Sequence, residues 1–171
     1  MKKTKEILSW ILPPAIAFAI FWFLFSYIFI IAWIPSESMS PTIKPHSMVI
    51  GLRLLGDIET GDIVIFKGKD QNNQEIQYIK RVAGKGNEML QIKGGDVYID
   101  GTQIDYPFRH TTTDGDEFGP IDIPADSFIM LGDNQDHSYD SRKWENPFVE
   151  QKDIMAKALF GFGDGEFSIL F

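Results

Sequence analysis

Three short segments of this chain concentrate side chains that can do chemistry. The first is Pro35-Ser36-Glu37-Ser38-Met39-Ser40-Pro41-Thr42, with alternate serines. The second, Tyr78-Ile79-Lys80-Arg81-Val82, sets a lysine inside an apolar run. The third is Gly132-Asp133-Asn134-Gln135-Asp136-His137-Ser138-Tyr139-Asp140-Ser141-Arg142. A serine hydroxyl is a weak nucleophile until a neighbouring base takes its proton, and that base is a histidine or a neutral lysine. Each segment also has a plain structural reading. A serine beside a proline is usually part of a turn. A lysine in a strand usually guards a sheet edge against pairing. A polar string of this kind usually folds as a turn held by Asx hydrogen bonds. Nothing about folding alone, however, requires so polar a string after Ser127–Leu131.

Composition removes several other chemistries. The chain has no cysteine, which excludes a thiol protease, a disulfide scaffold and any cysteine-ligated metal. His46, His110 and His137 have none of the short spacings of a histidine metal site. Asp136 and Asp140 suggest a calcium loop, but the glycine and terminal glutamate are missing at the required offsets. No metal or other cofactor is expected. The net charge of −8 argues against nucleic acid as a partner. A Ser–His hydrolase built on His137 stays open as an alternative. Against it, His137 is adjacent to Ser138, and neighbours in an extended segment point apart.

The elements that would position these residues fall into two parts. Residues 7–36 carry no charge, which is more than the roughly 20 apolar residues a bilayer core needs. Residues 7–34 are predicted as a retained transmembrane anchor, too long for the apolar region of a cleaved signal. Pro13-Pro14 near its start is expected to kink it or mark where it meets lipid. Residues 1–6, with three lysines and one glutamate, hold +2, so the remainder holds −10 of the overall −8. Lysine-rich flanks stay in the cytoplasm. The chain is thus read as a single-pass cell-membrane protein with a cytoplasmic N-terminus and residues 35–171 on the outer face. Trp10 and Trp33 suit the two interfaces.

Residues 35–171 read as a β-rich domain. Strand-length runs recur at 48–54, 62–67, 77–83, 88–92, 96–99, 127–132 and 154–162, separated by turn signals such as Gly94-Gly95 and Asp100-Gly101. Residues 90–104 predict two successive hairpins. Residues 102–126 predict a long surface excursion. The fold class is therefore mostly β: one transmembrane helix, then an all-β extracytoplasmic domain. In the 77–83 strand Lys80 shares a face with Tyr78 and Val82.

Taken in order, these strings resemble those of the bacterial type I signal peptidases, membrane-anchored serine proteases. The resemblance covers the anchor, Pro35–Thr42, Thr60–Lys67, Tyr78–Glu88, Phe118–Arg142 and Asp153–Phe160. It implies that Ser38 is the nucleophile and Lys80 the general base. It implies that Ser36 supplies the oxyanion-hole hydroxyl, Ser138 holds the lysine, and Asp140 and Arg142 form a supporting ion pair. Ile34, Pro35, Met39, Tyr78, Ile79 and Tyr139 are implied as substrate-binding residues, with Tyr139 larger than expected there. The implied substrates are signal-peptide-bearing preproteins cut after Ala-x-Ala-type sites. The lipid bilayer and the protein export machinery are the implied partners.

Lysine chemistry is consistent with those roles. The ordinary lysine pKa, near 10.4, leaves the amine charged at neutral pH, and burial lowers it. Ser38 and Lys80 are expected within about 3–4 Å of each other. An apolar patch built from residues 158–160 and 167–171 is expected beside the site. Ala83-Gly84-Lys85-Gly86 lacks the family's usual proline, which predicts a looser turn, and Gln135 stands where arginine is usual. Two further alternatives are a maturation peptidase of conjugation or pilus type with the same fold, and a non-catalytic membrane-anchored β module that binds envelope components.

Overall fold

The computed structural model describes residues 2–53, 56–105 and 117–170. Helix α1 (Lys2–Ile28) runs through Pro13 and Pro14 and leads directly into strand β1 (Phe29–Ile34). Its segment Ser9–Ile28 is long and apolar enough to cross a membrane. The predicted anchor 7–34 is thereby divided. Its last six residues are not helical but pair along their whole length with β2 (Ser47–Leu52). The cause is local: Phe29-Ile30-Ile31-Ala32-Trp33-Ile34 is rich in β-branched and aromatic residues and alternates its burial, with Ile30 and Ile34 in the core and Ile31 and Trp33 outside. Arg53 closes the junction: its backbone N–H donates to the Ile28 carbonyl at 2.7 Å and its Nε to the Phe29 carbonyl at 3.1 Å.

The remaining strands are β3 (Ile63–Lys69), β4 (Glu75–Lys85), β5 (Met89–Lys93), β6 (Asp96–Ile99), β7 (Thr102–Gln103), β8 (Phe118–Asp122), β9 (Ser127–Leu131), β10 (Phe148–Glu150), β11 (Ile154–Gly163) and β12 (Glu166–Ile169). All described pairings are antiparallel. One sheet has the order β1-β2-β11-β3-β4-β9-β10, with β12 on β11. The smaller sheet has the order β7-β6-β5-β8. The two predicted hairpins are β5–β6 and β6–β7. The ends of the predicted excursion 102–126 are strands β7 and β8, and its middle, 106–116, lies outside the described residues.

Strand β4 organises the site. Its first part, Glu75–Arg81, pairs with β3, and its last part, Arg81–Lys85, pairs with β9 across a bulge at Val82/Gly84. The side of Ile76–Lys80 away from β3 is therefore open. Gly84 lies in this strand rather than in the looser turn expected from the missing proline. A side chain there would meet the tips of Ile123 at 2.8 Å and Leu90 at 2.9 Å, so anything larger than glycine would have to displace those side chains.

Candidate active site

Lys80 stands at the end of the open stretch of β4, one residue before pairing with β9 begins, and unlike an ordinary edge lysine it is buried. Val64 of β3 lies opposite it, and Lys80 is 3% exposed. Its face of β4 carries Tyr78 and Val82, which pack with Val64, Phe66 and Met130. Its Nζ donates to Ser38 Oγ at 2.6 Å and lies 5.8 Å from the centre of the Tyr78 ring. Burial lowers the Lys80 pKa from its ordinary value to about 8, against the pull of Asp140 and Asp133 toward the charged form. A substantial fraction of this amine is neutral near physiological pH.

Ser38 stands in the turn after β1 and is itself buried. Three contacts hold the turn. The Asn134 backbone N–H donates to the Ser38 carbonyl at 3.1 Å, and Asn134 Nδ2 to the Glu37 carbonyl at 3.3 Å. The Thr42 hydroxyl donates to Asp133. Met39, fully buried, anchors the turn in the core with Ile34, Ile43 and Ile79. Ser36 Oγ lies 3.3 Å from Ser38 Oγ on the exposed side.

The segment after β9 supplies the second wall. Asp140 accepts from Arg142 Nε at 2.9 Å and Nη2 at 3.0 Å, and from the Gly132 backbone N–H at 3.0 Å. The Asp140–Arg142 pair implied by the resemblance is thus made. The pair the sequence reading missed is Arg81–Asp133, at 2.9 and 2.8 Å, with Arg81 Nη1 also donating to the Gly61 carbonyl at 2.7 Å. The signal was present: Arg81 points to the face opposite Lys80, and an arginine forced inside a sheet needs a carboxylate.

Ser138 differs from expectation. Among the described residues its buried hydroxyl has no hydrogen-bond partner, and Lys80 donates to Ser38. The Ser138 side chain packs instead on Gly132, where any added methyl would collide with its hydroxyl and with the Ser38 carbonyl. His137 is exposed, and its Nδ1 lies 3.3 Å from Asn134 Oδ1.

A cleft of about 550 Å³ opens in front of Ser38 and Lys80. Ile31–Pro35 line one side and Ile76–Ile79 the other; Tyr139 and His137 also face it. Of the implied substrate-binding residues, Ile34, Pro35, Tyr78, Ile79 and Tyr139 line this cleft. Met39 does not, because its whole side chain is taken up by the core beneath it. Two strand edges face the cleft: β1, the outermost strand of its sheet, and the open side of β4.

The register also builds an apolar face. Trp33, Met48, Phe162 and Phe167 are successive cross-strand partners over β1, β2, β11 and β12, and so are Ile31, Ile50, Phe160 and Ile169. Cross-strand partners share a face. Both ends of each row are largely exposed, with Trp33 at 62% and Ile169 at 62%.

Comparison with known proteins points the same way. Residues 7–162 match the family described as signal peptidase, peptidase S26. The chain is 29% identical to signal peptidase I S of Bacillus subtilis, over 95% of this chain and 92% of that one. It is 35% identical to signal peptidase I of Leptolyngbya laminosa over 76% of this chain and 66% of that one. It is 30% identical to signal peptidase IB of Staphylococcus aureus over 92% and 90%. A β domain with a buried Ser–Lys contact behind a long apolar helix, matched along nearly its whole length, belongs to the signal peptidase family, peptidase S26.

Proposed function

We propose that the chain is a membrane-bound serine endopeptidase that removes signal peptides from preproteins, with Ser38 as nucleophile and Lys80 as general base. The observation that carries this reading is the 2.6 Å contact between Ser38 Oγ and the buried Lys80 amine. Neutral Lys80 takes the Ser38 proton as Oγ attacks the scissile carbonyl carbon. The resulting ammonium returns a proton to the departing amine, leaving an ester on Ser38. Lys80 then takes a proton from a water molecule, which hydrolyses that ester. Among the described residues the Ser38 backbone N–H has no hydrogen-bond partner. With the Ser36 hydroxyl it meets the oxyanion, each donor contributing about 3–4 kcal/mol.

An extended substrate fits between the facing edges of β1 and β4 as an added strand, its backbone bonded to β4. Ile34, Pro35 and Ile79 make the floor apolar, which suits apolar side chains such as the alanines of an Ala-x-Ala site. Helix α1 holds the chain in the cell membrane with the N-terminus in the cytoplasm and the β domain outside. Ser38 lies ten residues beyond the end of α1, so the helix alone does not set the height of the site. The two apolar rows do so by resting on lipid, beside a substrate whose own apolar helix stays in the bilayer.

The test is to incubate the full chain, in detergent–lipid, with a preprotein and read the cut site by mass spectrometry. Cleavage after an Ala-x-Ala site by the wild type, and none by Ser38→Ala, is expected. An uncut preprotein would favour the non-catalytic β module.

A further inference from the structure

We infer that Tyr139 limits the size of the substrate side chains flanking the cut bond, by standing as a wall between the catalytic cleft and a second, larger one. This rests on the peptidase reading above. The second cleft, about 770 Å³, contains neither Ser38 nor Lys80, and Phe66, Trp144 and Phe148 are among its walls. Asp70, Gln71, Tyr78 and Tyr139 line both clefts, and the two tyrosine rings are the aromatic part of the partition.

The two rings are held differently. Tyr78 belongs to β4, donates its hydroxyl hydrogen bond to the Lys69 carbonyl at 3.1 Å and stacks on Phe66 at 5.6 Å. It also lies against the Lys80 amine, so removing it would disturb the base. Tyr139 is half-buried, and its ring rests edge-on against Trp144 at 6.4 Å. Its backbone is set by its buried neighbours, Ser138 in the packing beside Gly132 and Asp140 in the bond to Arg142. The core clusters do not include the Tyr139 ring. Its bulk therefore serves the cleft rather than the fold. With a small residue at 139, the catalytic cleft would open toward the aromatic one, giving a larger side chain an apolar place to go.

The experiment compares the wild-type full chain with Tyr139→Ala, Tyr139→Leu and Tyr139→Phe in detergent–lipid. The substrates are signal-peptide-derived peptides carrying Ala, Leu or Phe on either side of the cut bond. For Tyr139→Ala, kcat/KM for the Leu or Phe peptide relative to the Ala peptide should rise roughly tenfold or more, the scale at which an apolar pocket discriminates size. Tyr139→Phe should keep the wild-type ranking, because bulk and not the hydroxyl makes the wall. Thermal melting reports whether Tyr139→Ala is folded; if it is not, Tyr139→Leu should show the same trend more weakly. Unchanged ratios in a folded Ala or Leu variant, or relaxation by Tyr139→Phe equal to that by Tyr139→Ala, overturn the inference and leave the peptidase reading intact. A wild type that cuts none of the peptides overturns both.

Discussion

Lys80 and Arg81 are neighbours in β4, both nearly inaccessible to water, and the fold treats them in opposite ways. On one face Arg81 has a bidentate carboxylate, Asp133, and a backbone carbonyl, Gly61. On the other face Lys80 meets, among the described residues, a neutral hydroxyl and the Tyr78 ring. The nearest anions are already taken, Asp133 by Arg81 and Asp140 by Arg142. A buried cation given a carboxylate stays charged and becomes structure, whereas one denied a carboxylate gives up its proton more readily, as the base proposed for Lys80 must.

The contrast can be broken from either side. The largest effect is expected on the Lys80 face: Ser38→Ala and Lys80→Met should each lower kcat/KM by roughly 10⁴-fold or more while the domain stays folded. The check is peptide cleavage alongside circular dichroism. On the Arg81 face the loss should be of stability. Arg81→Met leaves Asp133 buried and unpaired, which costs about 3–5 kcal/mol, and Arg81→Met with Asp133→Leu should recover much of it. Thermal unfolding of the two variants measures this.

A smaller and opposite change sharpens the comparison. Holding Lys80 near pKa 8 instead of 10.5 corresponds to about 3 kcal/mol of destabilisation when the unfolded chain is protonated. Lys80→Met should therefore be more stable than wild type at pH 7 by up to that amount, although it is inactive. The folded pKa is the lower one, so the folded chain holds fewer protons between about 8 and 10.5. The penalty is complete below that window and fades across it as pH rises. Melting curves at pH 7 and above 10 check the sign. The smallest effect belongs to the solvent-exposed pair Lys44–Glu166, at 2.8 Å. Glu166→Ala should leave the melting temperature unchanged within error, because water and salt screen such pairs.

Much of this arrangement was legible in the sequence because it is local. Alternation and turn residues marked seven of the strands, and the three segments singled out for chemistry carried Ser38, Lys80 and Asp140. What was missed depends on contacts between distant segments. β1 was read as the end of the anchor, since a run of apolar residues looks alike in lipid and in a sheet, and only pairing with Ser47–Leu52 decides it. β10 and β12 are too short to show a period. Lys80 alone read as an exposed edge lysine, because nothing in Tyr78–Val82 says that the distant Ser38 turn covers this open stretch of β4 and buries the amine. Met39 and Ser138 kept the neighbourhood expected of them but not the contacts. Met39 is committed to the core, and the Ser138 hydroxyl packs on Gly132 without a hydrogen bond to Lys80.

The most direct measurement is the pH dependence of kcat/KM on a signal-peptide substrate, which reports the ionisation of the free enzyme. A lysine base predicts a rate that rises with pH through an apparent pKa near 8, the value burial gives Lys80. Replacing exposed His137 by alanine should leave that limb in place. A rate flat from about pH 6 to 10, or a limb near the ordinary histidine value of about 6.5 that disappears in His137→Ala, would contradict the account.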